Sequence, residues 1–202
     1  MRKVVWINGW GLSASYIEEI ATSVYPKADH VVVLPKLGWE EMLMQQPRAA
    51  TVVAYSLGAF LLLGRPDLSN RFDRSVFVAP FEDFKKESKK GGRVRLTQLR
   101  YLRRWLKSDK EAAIFDFMTR AGLKSECSNP GELSKAGCVW GIDRLINDSA
   151  EPGSLLKCEA LIGEADRLLD AEQMRRVYPN IKILEGAGHD LGELLKMGSL
   201  DL

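Results

Sequence analysis

Thr51-Val52-Val53-Ala54-Tyr55-Ser56-Leu57-Gly58-Ala59-Phe60-Leu61-Leu62-Leu63 is the stretch that decides the fold. The first part is a continuous β-branched and apolar run, the pattern of a strand buried on both faces. The last part is an apolar run of helix formers. A serine between small residues joins them, which predicts a sharp strand-to-helix turn with its hydroxyl at the tip. Such a turn needs small residues two before and two after the serine, and Ala54 and Gly58 occupy those places. The amides that follow open a helix, where the dipole favours a developing negative charge.

Outward from this turn the chain repeats the same alternation. Strand-like runs fall at Val4–Asn8, Val31–Leu34, Thr51–Tyr55, Ser75–Ala79, Cys158–Ile162 and Ile181–Leu184. Helical patterns fall near Ser13–Val24, Gly38–Met44, Leu57–Gly64, Asp170–Tyr178 and Asp190–Met197. Strand and helix in alternation imply an α/β protein: a mostly parallel sheet of about six strands with helices on both faces. A length of 202 residues suits a single domain over 1–202.

Between residues 82 and 150 no convincing strand occurs. Thr97–Lys107 reads as a helix, with Leu99, Leu102 and Leu106 on one face and Arg100, Arg103, Arg104 and Lys107 on another. Further helices are expected near Glu111–Leu123 and Val139–Ile146, with a turn at Ser128-Asn129-Pro130-Gly131. A helical insertion after a strand is placed to form a small lid over a pocket at the strand C-termini.

Net charge is +2, but it is unevenly spread. Ten Lys or Arg and one acid lie between Lys85 and Lys107, a balance of +9 that leaves −7 on the rest. A basic block on an acidic body is either a solvated helix face or a docking surface for an acidic partner. Nothing else in the chain points to nucleic acid. Attraction to an anionic membrane surface, as in a lysophospholipase, is the other use of such a block. The three cysteines, Cys127, Cys138 and Cys158, are odd in number and without CxxC spacing, which predicts free thiols in a reducing compartment. Asn8, Gly9 and Gly11 interrupt the first apolar run too early for a signal peptide, and no stretch has the length to span a bilayer. A cytoplasmic protein is expected.

Serine is a weak nucleophile and needs a base, and the base needs a group that fixes its tautomer. Two histidines are available. His30 opens a strand, whereas His189 follows the glycine-rich turn Glu185-Gly186-Ala187-Gly188 after the last strand, on the edge that presents Ser56. His189 is the expected base. Leu161-Ile162-Gly163-Glu164-Ala165-Asp166 offers the acid; Asp166 is favoured over Glu164, and Asp170 reads as a helix cap. The order Ser56, Asp166, His189 is the order of this chemistry on a doubly wound sheet. The oxyanion donors are expected to be the backbone N–H groups of Leu57 and of Trp10, the latter in the flexible run Asn8-Gly9-Trp10-Gly11. The Trp10 ring then faces the acyl pocket, or else is a plain core residue. No metal or cofactor is called for.

The strings Val5-Trp6-Ile7-Asn8-Gly9-Trp10-Gly11, Ala54-Tyr55-Ser56-Leu57-Gly58, Gly163-Glu164-Ala165-Asp166 and Gly186-Ala187-Gly188-His189 together resemble an α/β-hydrolase over almost the whole chain. The Gly-Trp-Gly loop is most similar to that of the pimeloyl-acyl-carrier-protein methyl ester esterases of biotin synthesis. Those enzymes carry a short arginine-bearing helical lid, and Arg93–Leu123 is similar in character. The resemblance implies hydrolysis of a methyl ester on a pimeloyl chain tethered to an acidic acyl carrier protein. Arg93, Arg100, Arg103, Arg104 and Lys107 are then candidate carrier or substrate contacts on a monomeric enzyme. Two residues depart from the family pattern: Asn8 replaces a common histidine, and Ala54 replaces the first glycine of the turn. The antiparallel strands that open larger members are not expected before Val4, so the sheet should be a trimmed one. A general carboxylesterase or thioesterase without a carrier, and a non-catalytic receptor on the same fold, are the rival expectations.

Overall fold

A computed structural model describes residues 2–48, 50–124, 127, 129 and 132–200. Ser128, Pro130 and Gly131 of the expected turn lie outside the described residues. Six strands form one sheet: β1 (Lys3–Ile7), β2 (Asp29–Val33), β3 (Thr51–Tyr55), β4 (Arg74–Val78), β5 (Glu159–Gly163) and β6 (Lys182–Leu184). Their order is β2-β1-β3-β4-β5-β6, and every pairing is parallel. The central strand β3 is buried at all five positions, which accounts for its lack of polar alternation.

This order has a direct consequence for the site. The crossover from β1 to β2 runs one way along the sheet, and each later crossover runs the other way. Right-handed connections therefore place the first helix on one face and the next ones on the other. The reversal lies between β1 and β3, so the loops leaving those strands part to opposite faces and open a crevice at their C-terminal ends. Ile7 pairs with Ala54, so the Asn8–Gly11 loop and Ser56 emerge side by side at that crevice.

The sheet helices are α1 (Ala14–Val24), α2 (Trp39–Met44), α3 (Leu57–Leu63), α4 (Pro66–Ser69), α8 (Ala171–Val177) and α9 (Leu191–Gly198). Helix α3 is buried along its whole length, as its unbroken apolar sequence requires. Helix α1 packs against α9. Side chains at Ser13, Asp170 and Asp190 cap α1, α8 and α9, each accepting a backbone N–H of the first turn. Asp170 is thus a cap, as expected.

Between β4 and β5 lie α5 (Leu96–Ser108), α6 (Lys110–Ala121) and α7 (Lys135–Asn147). Leu99, Leu102 and Leu106 of α5 are buried, while Arg100, Arg104 and Lys107 are exposed. The 82–150 stretch holds no named strand among the described residues, though isolated bridges join Lys85 to Val94 and Gly92 to Leu169. Two features escape the sequence periodicity: the single-turn α4, and these bridges, of which Gly92–Leu169 fastens the start of the insertion to the loop after β5. Cys127, Cys138 and Cys158 are free thiols. Among the described residues no helix is long and apolar enough to cross a membrane.

Candidate active site

Ser56 sits between β3 and α3 with φ 51° and ψ −113°. A non-glycine residue there carries strain of about 1–3 kcal/mol, which the surrounding packing must hold. Gly58 makes the turn possible. A Cβ on it would lie 2.4 Å from the carbonyl oxygen of Ile7 and 2.6 Å from that of Asn8. The turn is thus pressed against the end of β1, and Ala54, fully buried, completes the close fit.

The structure brings Ser56, His189 and Asp166 together. His189 Nε2 is 3.1 Å from Ser56 Oγ, and His189 Nδ1 is 2.6 Å from Asp166 Oδ2. A carboxylate only accepts, so Nδ1 carries the proton and donates to Asp166, leaving the Nε2 lone pair to accept from the serine hydroxyl. Asp166 is wholly buried, and its other oxygen accepts the N–H groups of Leu168 (2.7 Å) and Leu169 (3.0 Å). Three hydrogen bonds therefore fix one carboxylate, and it can orient an imidazole without swinging.

The histidine loop reaches this position because of Gly163. A Cβ there would lie 2.2 Å from the carbonyl oxygens of both Ala187 and Gly188. The loop crosses directly over the end of β5, and only a glycine leaves room for it. Behind the histidine, Tyr55 Oη donates to the His189 carbonyl at 2.6 Å, and the two rings lie 5.4 Å apart. Burial, and then the Asp166 charge, push the Tyr55 hydroxyl well above its usual range, so it remains a donor. Asp190 adds a second brace by accepting from Tyr16 Oη at 2.8 Å.

The other candidates fall elsewhere. Glu164 is exposed and accepts the Gly186 N–H at 3.1 Å, stiffening the histidine turn without touching the imidazole. His30 accepts from Trp6 Nε1 at 3.1 Å and donates to the Tyr25 carbonyl at 3.0 Å, a structural role at the β1–β2 edge.

Trp10 and Leu57 line the small space beside Ser56 and His189. Among the described residues, neither backbone N–H finds a protein acceptor, although both residues are buried. Amides in buried residues rarely lack a partner, and both of these residues share their small space with Ser56. Asn8 shapes the loop that carries Trp10. Its side chain accepts from Gly9 N (2.7 Å) and donates to the Leu12 carbonyl (2.9 Å). The Trp10 ring is also pinned, by a 2.9 Å bond from Nε1 to the Cys138 carbonyl in α7 and an edge-on contact with Phe117 of α6.

The basic residues divide into two groups. Arg103 does not stand free with the rest of its stripe, because its guanidinium forms a two-point pair with Asp143 of α7. Arg103 links α5 to α7, while Arg100, Arg104 and Lys107 are exposed. None of these lines the groove of about 400 Å³ between α5 and α6. The cations that do line it are Arg93, Arg120 and Arg167. Arg93 donates to the Asp166 carbonyl at 3.0 Å, and Arg120 pairs with Asp116. Arg120 and Arg167 were not among the expected contacts, since only the packing of α6 against the loop after β5 assembles them.

Comparison with solved structures settles the architecture. A bromoperoxidase from Bacillus anthracis matches with a TM-score of 0.68 at 15% identity, over 98% of this chain and 87% of that one. An esterase from Exiguobacterium antarcticum matches at 0.69 and 14% identity, over 95% and 86%. The protein has the α/β-hydrolase fold. A hydrolase from Oleispira antarctica gives 0.67 at 15% identity, over 96% and 88%. No family model and no curated protein matches the sequence. On this fold Ser56 stands at the turn between β3 and α3, and His189 on the loop after the last strand β6.

Proposed function

We propose that the protein is a serine carboxylesterase. The observation that carries this reading is the unbroken chain of hydrogen bonds from Ser56 through His189 to Asp166. Esterases and hydrolases among proteins of the same fold support it. In the first half-reaction Ser56 Oγ bonds to the ester carbonyl carbon as His189 Nε2 takes the hydroxyl proton. The carbonyl oxygen becomes an anion beside the N–H groups of Trp10 and Leu57. The C–O bond to the alcohol then breaks, and His189 returns its proton to the departing alkoxide. Water repeats the sequence on the acyl-enzyme, releasing the acid and restoring Ser56. Asp166 holds the imidazole in its working tautomer and stabilises it while protonated.

The substrate we propose is a methyl ester on a pimeloyl chain tethered to an acyl carrier protein. The Gly9-Trp10-Gly11 loop and a helical cover bearing exposed Arg100, Arg104 and Lys107 support this. An acidic carrier would be drawn and oriented by these cations. A carrier-independent carboxylesterase is favoured instead by one observation: the stripe does not border the groove, and Arg103 is occupied by Asp143.

The deciding experiment compares wild type with Ser56→Ala on pimeloyl-carrier methyl ester and on p-nitrophenyl acetate, with fluorophosphonate labelling alongside. Loss of both turnover and label in the variant is expected. Turnover that persists in Ser56→Ala removes the serine mechanism. Turnover of the acetate alone by wild type removes the carrier substrate and keeps the esterase.

A further inference from the structure

The space at Ser56 is too small for any substrate chain. It amounts to about 10 Å³, enclosed by residues that include Trp10, Leu57, Phe81, Phe117 and Leu145. That is room for roughly one water molecule. The groove of about 400 Å³ between α5 and α6 is of the size that holds a small organic ligand. Its lining includes Val94, Leu102, Trp105 and Leu168, and it also includes Phe117. Phe117 therefore borders both the Ser56 space and the groove.

We infer that Phe117 is the wall dividing one substrate channel, and that the groove receives the apolar acyl chain running on from the carbonyl held at Ser56. This rests on the esterase reading above and specifies where its substrate lies. Phe117 is half-buried, and it leans edge-on against Trp10 with ring centroids 4.8 Å apart. Its side chain has no polar group to tether it. Turning that ring about its own side-chain bonds would open the boundary between the two spaces without requiring the main chain to move. The joined channel runs from the Ser56 space past Val94, Leu102, Trp105 and Leu168, which share the groove with Arg93, Asp116, Arg120 and Arg167, so its occupant is an acyl chain whose hydrocarbon part lies on the apolar side chains. Thr97, on α5, borders the groove but not the Ser56 space.

The test varies the acyl chain at constant alcohol. The ratio of kcat/KM for p-nitrophenyl octanoate to that for p-nitrophenyl acetate is measured in wild type, Phe117→Ala and Thr97→Trp. Removing the wall should raise the ratio about tenfold, and filling the groove should lower it about tenfold, the scale set by a few methylenes in an apolar pocket. Phe117→Leu, which keeps more of the packing, should shift the ratio in the same direction as Phe117→Ala and serves if the latter does not fold. A ratio that stays within twofold of wild type in the folded wall variant and in Thr97→Trp overturns the inference while leaving the esterase intact. Hydrolysis of either ester by Ser56→Ala overturns the esterase reading itself, a separate result.

Discussion

The phenolic hydroxyl of Tyr55 donates a 2.6 Å hydrogen bond to the main-chain carbonyl of His189. Tyr55 is the residue immediately before Ser56, so this bond ties the elbow directly to the loop that holds the imidazole. Removing the hydroxyl leaves a buried carbonyl unpaired, at a cost of about 1–3 kcal/mol. Tyr55→Phe should therefore lower stability by that amount in urea unfolding. Turnover of p-nitrophenyl acetate should fall through kcat more than KM, because the substrate space keeps its shape while the histidine loses its anchor. A kcat equal to that of wild type would show that the remaining contacts of the loop position His189 without this bond.

Gly163 makes a sharper prediction. A methyl group at this position meets two carbonyl oxygens of the histidine loop at 2.2 Å, a distance no packing tolerates. Gly163→Ala should push the loop outward and stretch the contact between His189 and Ser56. Overpacking of this kind costs about 1–3 kcal/mol. Hydrolysis should fall at least tenfold, since a displacement of about 1 Å at a reacting group is enough to cost a hundredfold. Steady-state kinetics with a melting curve separates the local effect from global unfolding.

The buried tyrosines set an alkaline limit. Burial raises the hydroxyl pKa of Tyr55 first of all, with the Asp166 charge adding to it. Burial is also the largest cause of the upward shifts at Tyr16 and Tyr178. An unfolded tyrosine ionises near pH 10, while the folded one keeps its proton. Above about pH 10 the unfolded chain thus binds fewer protons than the native one, and stability falls as pH rises. The stabilising effect is complete below pH 10. Above it the slope approaches about 1.4 kcal/mol per pH unit for each fully buried tyrosine. Urea unfolding at pH 9, 10 and 11 should show this decline, and Tyr55→Phe should make it shallower.

Charge reversal separates the two kinds of arginine on α5. Arg100→Glu and Arg104→Glu alter exposed side chains and should leave the melting temperature almost unchanged. They should reduce turnover of a carrier-linked ester at low salt, an effect that fades as salt is added. Arg103→Glu instead sets a carboxylate against Asp143 and should lower the melting temperature by several degrees. Equal thermal effects at all three positions would count against the clamp.

The meeting of Ser56, His189 and Asp166 was legible because each of them is punctuated locally. Ser56 lies between two unlike apolar runs, and Asp166 and His189 each follow a glycine-marked strand end. Parallel strands bring such ends to one edge whatever the side chains between them. What the sequence did not reveal depends on contacts between distant elements. The Tyr55 bond joins residues 134 positions apart. Asp143 gives no sign in its own helix that it will claim Arg103. Four residues of α4 are too few to show a period, and Phe117 reads only as one more apolar position on α6. Gly58 is legible by its size, whereas the role of Gly163 in admitting a second loop comes only from the packing.

The indole of Trp10 joins the cover to the chemistry. Its nitrogen is fastened to α7 and it meets Phe117 of α6 edge-on, while the residue lines the same small space as Ser56. Displacing either helix would strain the ring, and that strain would reach the Trp10 main chain through its Cβ. On the esterase reading, access and reactivity would be coupled: a movement of the cover that admits an ester would also reach the residue proposed to steady its oxyanion.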